Sequence, residues 1–204
     1  KRVVLRNFNM ETARKLFDTW EPVIRKWSTQ DNVEIEFRLG RKTASKFDTN
    51  VGQETFKKLL VALNAYKGWE TTSQTESSVY STGNKRITVN EKTDESTAVI
   101  KTKLLHNDFA LEGPFDVRLG ISSEVPWDPD GAEMESVKTK KRWSFVRKNL
   151  SIDLTEVTGD PEDKDSDEDT TWQVELEIVD PKNLGDRDKL FALMYKIFNV
   201  LECV

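Results

Sequence analysis

The chain is poor in the residues that most often mark a chemistry. Of its 204 residues one is a cysteine, Cys203, and one a histidine, His106. A single cysteine excludes an intrachain disulfide, and an intracellular, reducing location is the expectation. One histidine and one cysteine do not make a zinc site of the common kind, and His106 reads as a loop or surface residue. No apolar run approaches the roughly 18 residues that cross a bilayer, nor does the amino terminus show the apolar core of a signal peptide; no membrane partner is expected. The nine glycines contain no Gly-x-x-x-x-Gly-Lys-Ser/Thr phosphate loop. A cysteine phosphatase needs an arginine downstream of its nucleophile, and only Val204 follows Cys203. Lys-x-Asp-Gly, usual for lysine-linked nucleotidyl transfer, is absent too, since the stretch at Lys92 reads Lys-Thr-Asp-Glu.

What the chain does have is charge in patterns. Charged residues make up 33% and apolar ones 36%, with a net charge of −5, which argues against general nucleic-acid affinity. The charge is segregated. Lys138 to Lys148 holds six basic residues and no acidic one, and Glu156 to Asp169 holds eight acidic residues and one lysine. The acidic run reads as a solvated loop between strands.

Helical spacing of Leu16, Phe17, Trp20, Ile24 and Trp27 predicts a helix over about residues 10–27, with Asn9 as its N-cap and Pro22 breaking or kinking it. A second helix is expected over 53–66 and a third over 186–201, with residues 41–50 a polar loop. From Gly68 onward the pattern has period two, and Gly83-Asn84 marks a hairpin turn. The whole, 1–204, reads as one domain.

In Val33-Glu34-Ile35-Glu36-Phe37-Arg38-Leu39-Gly40 the charged side chains share one face and the apolar ones the other, because strand side chains alternate. The same holds for Asp116, Arg118, Ser122 and Glu124, with Gly120 among them, and for Gln173, Glu175 and Glu177. Arg86 and Thr88 oppose Ile87 and Val89. Lys101 shares a face with Lys103, and Lys140 with Arg142. For any single strand this is a wet outer face. As a set, with helices needing an apolar surface, it predicts an α+β, mainly β protein: a closed antiparallel barrel of about eight strands, helices outside and charges within. Charges enclosed together ask for charged ligands. The basic set suits an anion. Glutamates two apart on one strand, as in Glu34/Glu36 and Glu175/Glu177, can converge on an oxygen-ligated Mg²⁺ or Mn²⁺.

Val-Glu-Ile-Glu-Phe-Arg-Leu-Gly and Gln-Val-Glu-Leu-Glu-Ile-Val resemble the paired glutamate strands of the triphosphate tunnel metalloenzymes. Phe-Asp-Val-Arg-Leu-Gly-Ile-Ser-Ser-Glu, Lys-Lys-Arg-Trp-Ser-Phe and Ser-Ile-Asp-Leu-Thr-Glu-Val are similar to the intervening strands of its fungal and viral RNA 5′-triphosphatase branch, in particular the triphosphatase domain of giant DNA virus capping enzymes. The resemblance implies an eight-stranded tunnel and removal of the γ-phosphate from triphosphate-ended RNA, the first step of mRNA capping, with NTPs as further substrates. It implies Mg²⁺ or Mn²⁺ held by Glu34, Glu36 and Glu177, with Glu175 supporting the ion. Arg86, Lys103, Arg118, Lys140 and Arg142 would grip the triphosphate, with Lys101 and Arg38 on the same faces. Arg86, Lys140 and Arg142 would act in catalysis with Glu124, which would orient the attacking water. Asp153, Asp116 and Ser122 would support the site from behind. A guanylyltransferase, fused or separate, is the implied partner, the chain is expected to be a monomer, and a viral origin would place it in the virion or at a host-cell cytoplasmic replication site.

Two departures stand out. Gln173 occupies a position where fungal members can carry a third glutamate, and Arg38 replaces the lysine of the commoner Glu-x-Glu-x-Lys pattern. The residues leave other readings open: a tunnel hydrolase of thiamine triphosphate or inorganic triphosphate, a non-catalytic phosphate-binding barrel, or a sandwich with solvated charges.

Overall fold

The computed structural model describes residues 2–159 and 170–204. Most of the acidic run therefore lies outside the described residues. Its first member, Glu156, is not in a loop but in a strand. The elements in chain order are α1 (Arg2–Ser28), β1 (Val33–Lys42), β2 (Phe47–Asp48), α2 (Gln53–Ala65), β3 (Thr71–Thr82), β4 (Lys85–Asn90), β5 (Ser96–Phe109), β6 (Asp116–Pro126), β7 (Ser136–Arg147), β8 (Leu150–Thr158), β9 (Thr170–Ile178), α3 (Arg187–Met194) and α4 (Lys196–Leu201).

Eight strands close on themselves in the order β1-β6-β5-β4-β3-β7-β8-β9, with β9 pairing back to β1, and all pairings are antiparallel. The two-residue β2 lies on the end of β1, inside the stretch expected to be loop. Closure leaves no long edge for β1 or β9 and fixes which face of every strand looks inward.

The apolar faces look outward, under the helices. Ile35, Phe37 and Leu39 of β1 and Val117, Leu119 and Ile121 of β6 are buried together with Leu16, Trp20 and Ile24 of α1. Trp20 stacks on Phe37 with ring centroids 5.9 Å apart and donates its indole N–H to Asn107 Oδ1 at 2.9 Å. On the other side Phe56, Leu59 and Leu63 of α2 join Phe145, Ile152, Leu154, Val174 and Leu176 in the same core. The outer face of β3 is bare: Thr72 and Gln74 are exposed.

Three helix boundaries differ from expectation. The first helix starts at Arg2, so Asn9 is inside it, and it runs unbroken through Pro22. Proline removes one backbone bond in a helix, and the buried stripe on either side of it, Trp20 and Ile24, holds the turn in place. The second helix ends at Ala65, because Tyr66 is extended. The third is two helices joined at Tyr195, and Asp186 caps the first of them by accepting a hydrogen bond from the Lys189 N–H.

A bulge in β5 has larger consequences. The register with β6 shifts between Lys103 and Leu105. One extra residue flips the alternation, so Leu105, Asn107 and Phe109 turn outward to α1 while His106 and Asp108 join Lys101 and Lys103 on the inner face. His106 is exposed, but on a strand and not in a loop.

Phe37→Ala is expected to lower unfolding free energy in urea by about 3–5 kcal/mol, the cost of emptying a fully packed aromatic site. Gln74→Ala, on the bare face of β3, should change it by no more than about 0.5 kcal/mol.

Candidate active site in the barrel lumen

The registers set the inner side chains beside one another in rows. One row runs Thr71, Val146, Ser151, Glu177, Glu36, Gly120, His106. The next runs Ser73, Ser144, Asp153, Glu175, Arg38, Arg118, Asp108. Lys140 and Arg142 stand on the wall of β7, Arg86 on β4, Lys101 on β5, and Ser122 and Glu124 on β6. The charged faces thus enclose a lumen, and the sandwich reading fails.

Glu175 is the hub of the ion pairs. Its two oxygens take Arg38 Nη2 at 2.6 Å and Arg142 Nη2 at 3.4 Å. Arg38 also donates Nε–H to Glu36 Oε1 at 2.7 Å. Arg142 reaches Thr155 Oγ1 at 3.1 Å and Asp153 Oδ2 at 3.6 Å, while Ser151 donates to Asp153 Oδ1 at 2.7 Å. Lys101 bridges Glu34 and Glu124, at 3.0 Å from the latter, and Ser122 donates to Glu34 at 3.0 Å. Burial would raise the Glu175 carboxyl, but Arg38, Arg142, Lys140 and Lys101 hold it well below the usual carboxylate range. Burial would lower Arg38 and Arg142 too, yet the carboxylates around them keep both firmly charged.

Three groups on the lumen wall are left out of this pairing among the described residues: Glu177, Lys140 and Arg86. Glu177 has no ion pair among the described residues. Burial, then Glu34, Asp153 and Glu36, push its pKa up to about 8 against the pull of Arg142. Lys140 has no carboxylate partner among the described residues either. Burial and its cationic neighbours Arg142, Arg86 and Arg38 bring it down to about 8, despite Glu175. The lumen therefore holds an unpaired carboxyl, Glu177, crowded by the engaged Glu34 and Glu36, and unpaired cations at Lys140 and Arg86.

The carboxylate cluster fits a small hard cation. Glu36 and Glu177 face each other directly across the β1–β9 ladder, a like-charge pairing that destabilises the ladder when both are ionised. Glu34 stands two residues along on the same face. The donors are all oxygens, as Mg²⁺ or Mn²⁺ prefers. Among the described residues no three His, Cys, Asp or Glu side chains form a ready metal-binding group; Lys101 engages Glu34 and Arg38 engages Glu36.

The structure brings together Glu34, Glu36, Arg38, Arg86, Lys101, Glu124, Lys140, Arg142, Asp153, Glu175, Glu177 and Ser122. Three expected members stand apart. Asp116 accepts from the backbone N–H groups of Lys42 and Leu111 at 2.9 and 3.0 Å, so it fastens loops at the end of β6. Arg118 is at the rim, paired with Asp108 at 2.6 and 3.0 Å and set over the Phe47 ring at 4.5 Å. Lys103, opposite Ser122, is exposed on β5. Thr155, Ser151 and Gly120 were missed by a search for charge. The polar-face position of Gly120 was the one available signal, and a Cβ there would lie 3.1 Å from Glu36 Oε1 and 3.2 Å from its Cγ.

With this geometry in hand, comparison with known proteins is decisive on the family. The model of the mRNA triphosphatase family, described as "mRNA capping enzyme, beta chain", matches residues 53–196, well over half of the chain. The chain belongs to that family. It is an RNA 5′-triphosphatase of the mRNA capping type. No curated protein sequence matches it. Among solved structures the Pct1 RNA triphosphatase of S. pombe shares the fold, with a TM-score of 0.71 and 19% identity over 92% of this chain and 89% of that one. The same enzyme in complex with the Spt5 CTD gives 0.71 and 17% identity, over 92% and 90%. A conserved hypothetical protein from Pyrococcus furiosus matches at 0.41 and 12% identity, over 83% and 90%, too distant to carry an argument.

Two outcomes follow from the triphosphatase's lumen. A raised carboxyl pKa lets the folded state hold a proton that the unfolded chain has released, so Glu177 costs stability increasingly as pH rises from about 4.5 to about 8. Glu177→Gln should therefore melt at a higher temperature than wild type at pH 8 with chelator present, and the difference should close at pH 4. Gly120→Val should cut turnover by an order of magnitude or more while the far-ultraviolet dichroism stays unchanged, because the new side chain displaces Glu36.

Proposed function

We propose that the triphosphatase hydrolyses the β–γ anhydride of triphosphate-ended RNA in the barrel lumen with a divalent cation, Mg²⁺ or Mn²⁺, and that it also accepts NTPs. The observation that carries this reading is a pair of crowded sites of opposite sign: carboxyl groups gathered about the unpaired Glu177 on one part of the wall, and cations about the unpaired Lys140 and Arg86 on another. A metal–triphosphate complex supplies both missing charges at once.

Glu34, Glu36 and Glu177 would hold the cation, with Glu175 directly or through water behind them. When bound, the cation would offset charge on the phosphate oxygens. The remaining work falls to the protein's own groups. Lys140 and Arg86, free of carboxylate partners among the described residues, meet the phosphate oxygens. Arg142, fixed by Glu175, Asp153 and Thr155, presents a planar fork to the same group. Burial of these cations strengthens their hold on charge developing at the bridging oxygen. Glu124, held by Lys101 and more open than Glu175, with 36% of its side chain exposed against 8%, orients a water toward the γ-phosphorus. It takes a proton as that water attacks, and the RNA leaves with a diphosphate end. Phosphoryl transfer passes through a loose transition state, so positioning and charge neutralisation outweigh strong base catalysis. A guanylyltransferase, fused or separate, is the enzyme whose chemistry consumes a diphosphate end.

Glu36→Ala and Glu177→Ala are expected to abolish phosphate release from γ-labelled RNA at any Mg²⁺ or Mn²⁺ concentration; retained turnover in either removes that residue from the cation site. Arg142→Lys should lower kcat by at least about tenfold, since an ammonium cannot make the planar contacts of the guanidinium. Wild-type release that is indifferent to chelator would refute metal dependence.

A further inference from the structure

The lumen has a direction that the catalytic residues do not use. Both rows across its wall begin at uncharged positions, Thr71 and Ser73, which are exposed. Both pass through the carboxylates. They finish at His106 and at the Arg118–Asp108 pair, with Lys103 nearby on β5. This last rim is open for a structural reason. The ladder between β4 and β5 stops at Lys85 and Ile100, with one further bond from the Lys101 N–H to the Asn84 carbonyl at 2.8 Å. From Thr102 to Phe109 β5 is laddered only to β6.

The side chains at this rim are arranged ahead of any ligand. Asp108 takes two nitrogens of Arg118, and Phe47 supports the flat of the guanidinium. Nη1 of Arg118 makes no hydrogen bond among the described residues. Lys103 is exposed. The His106 ring is exposed and makes no hydrogen bond among the described residues. Slight burial, then Arg118 and Lys103, lower its pKa further from 6.5, so at neutral pH it is an uncharged flat ring beside two cations. Apolar or neutral rings next to cations are how sequence-tolerant single-strand sites are built.

A triphosphate in the lumen has one continuation, the RNA chain, and that chain must leave by one rim. Each nucleotide beyond the first carries a negative charge, which Lys103 and Arg118 attract and which Thr71 and Ser73 do not. We propose that the RNA leaves through the β5–β6 rim, with Lys103 and Arg118 on its first phosphodiester and the His106 ring against a nucleobase. This rests on the hydrolytic reading above and adds to it a polarity and a basis for preferring RNA over shorter triphosphates. It also moves Lys103 and Arg118 from the triphosphate itself to the chain behind it.

The test is photocrosslinking of a short RNA with a 4-thiouridine at its second nucleotide and a non-hydrolysable β,γ-methylene triphosphate end, with Mn²⁺ present. Crosslinked peptides from residues 102–109 or 116–120 are expected. Crosslinks to 71–75 or 144–146, or crosslinks no stronger than those of the same RNA without its triphosphate, overturn the proposal. Kinetics give a second reading. His106→Ala should lower the ratio of kcat/KM for RNA to that for inorganic triphosphate by about tenfold, the scale of one lost stacking contact. An unchanged ratio overturns the His106 contact. Crosslinking does not depend on turnover, so a wild-type protein that crosslinks at this rim but releases no phosphate would refute the hydrolytic reading alone.

Discussion

The structure turns on the two guanidiniums that share Glu175. Arg38 and Arg142 come from opposite sides of a fully buried carboxylate, and each carries a second acid with it, Glu36 for one and Asp153 for the other. Charges so enclosed cost several kcal/mol each unless paired, and this network is what lets a barrel interior be built from charge. It works because closure is complete: β9 returns to β1, and the Arg38–Glu175 contact is made across that last ladder. Loss of Glu175 would leave two buried cations facing each other. For that reason Glu175 reads first as the residue that holds Arg38 and Arg142 in place and only second as a neighbour of any cation.

From that network the division of labour in the lumen follows. Groups tied into it are fixed and neutralised. Groups left out, Glu177 on one side and Lys140 on the other, have no opposite charge to pair with, and burial moves both toward their neutral forms. An unsatisfied carboxylate directly across a ladder from another carboxylate, and an unsatisfied amine among arginines, are stability given up for binding. The two defects have opposite signs and lie in the same enclosure, so one complex of cation and polyphosphate, as proposed, would answer both. The membership of this chain in the mRNA capping triphosphatase family gives the substrate that brings such a complex.

Much of this was legible in the sequence, and the reason is parity. A closed sheet with helices outside forces every strand to alternate, so Glu34, Glu36, Arg38, Arg118, Lys140, Arg142, Glu175 and Glu177 could all be set on one face without coordinates. What parity could not give was position along the lumen. Arg118 and Lys103 have the right face and the right charge, and only the structure shows that Arg118 is taken by Asp108 and that Lys103, opposite Ser122, is open to solvent. Asp116 has the right face but lies at the strand end, where its carboxylate is spent on two backbone amides. His106 was unreadable because a bulge between Lys103 and Leu105 reverses the alternation, and two adjacent leucines are a faint trace of it. The helix through Pro22 was misjudged for a different reason: a proline's local cost is a few kcal/mol, and the packing of Trp20 and Ile24 on the barrel outweighs it.

If cation and triphosphate complete each other's site in the lumen, as proposed, thermodynamic coupling between them reads it out. Mn²⁺ would be titrated calorimetrically into the protein alone and into the protein saturated with β,γ-methylene ATP, with the reverse titration as a check. Each ligand is expected to raise the affinity for the other by the same factor, tenfold or more, as linkage requires of two ligands that share one lumen. Equal Mn²⁺ affinity with and without the nucleotide would contradict it, because the carboxylates and the cations would then belong to separate sites.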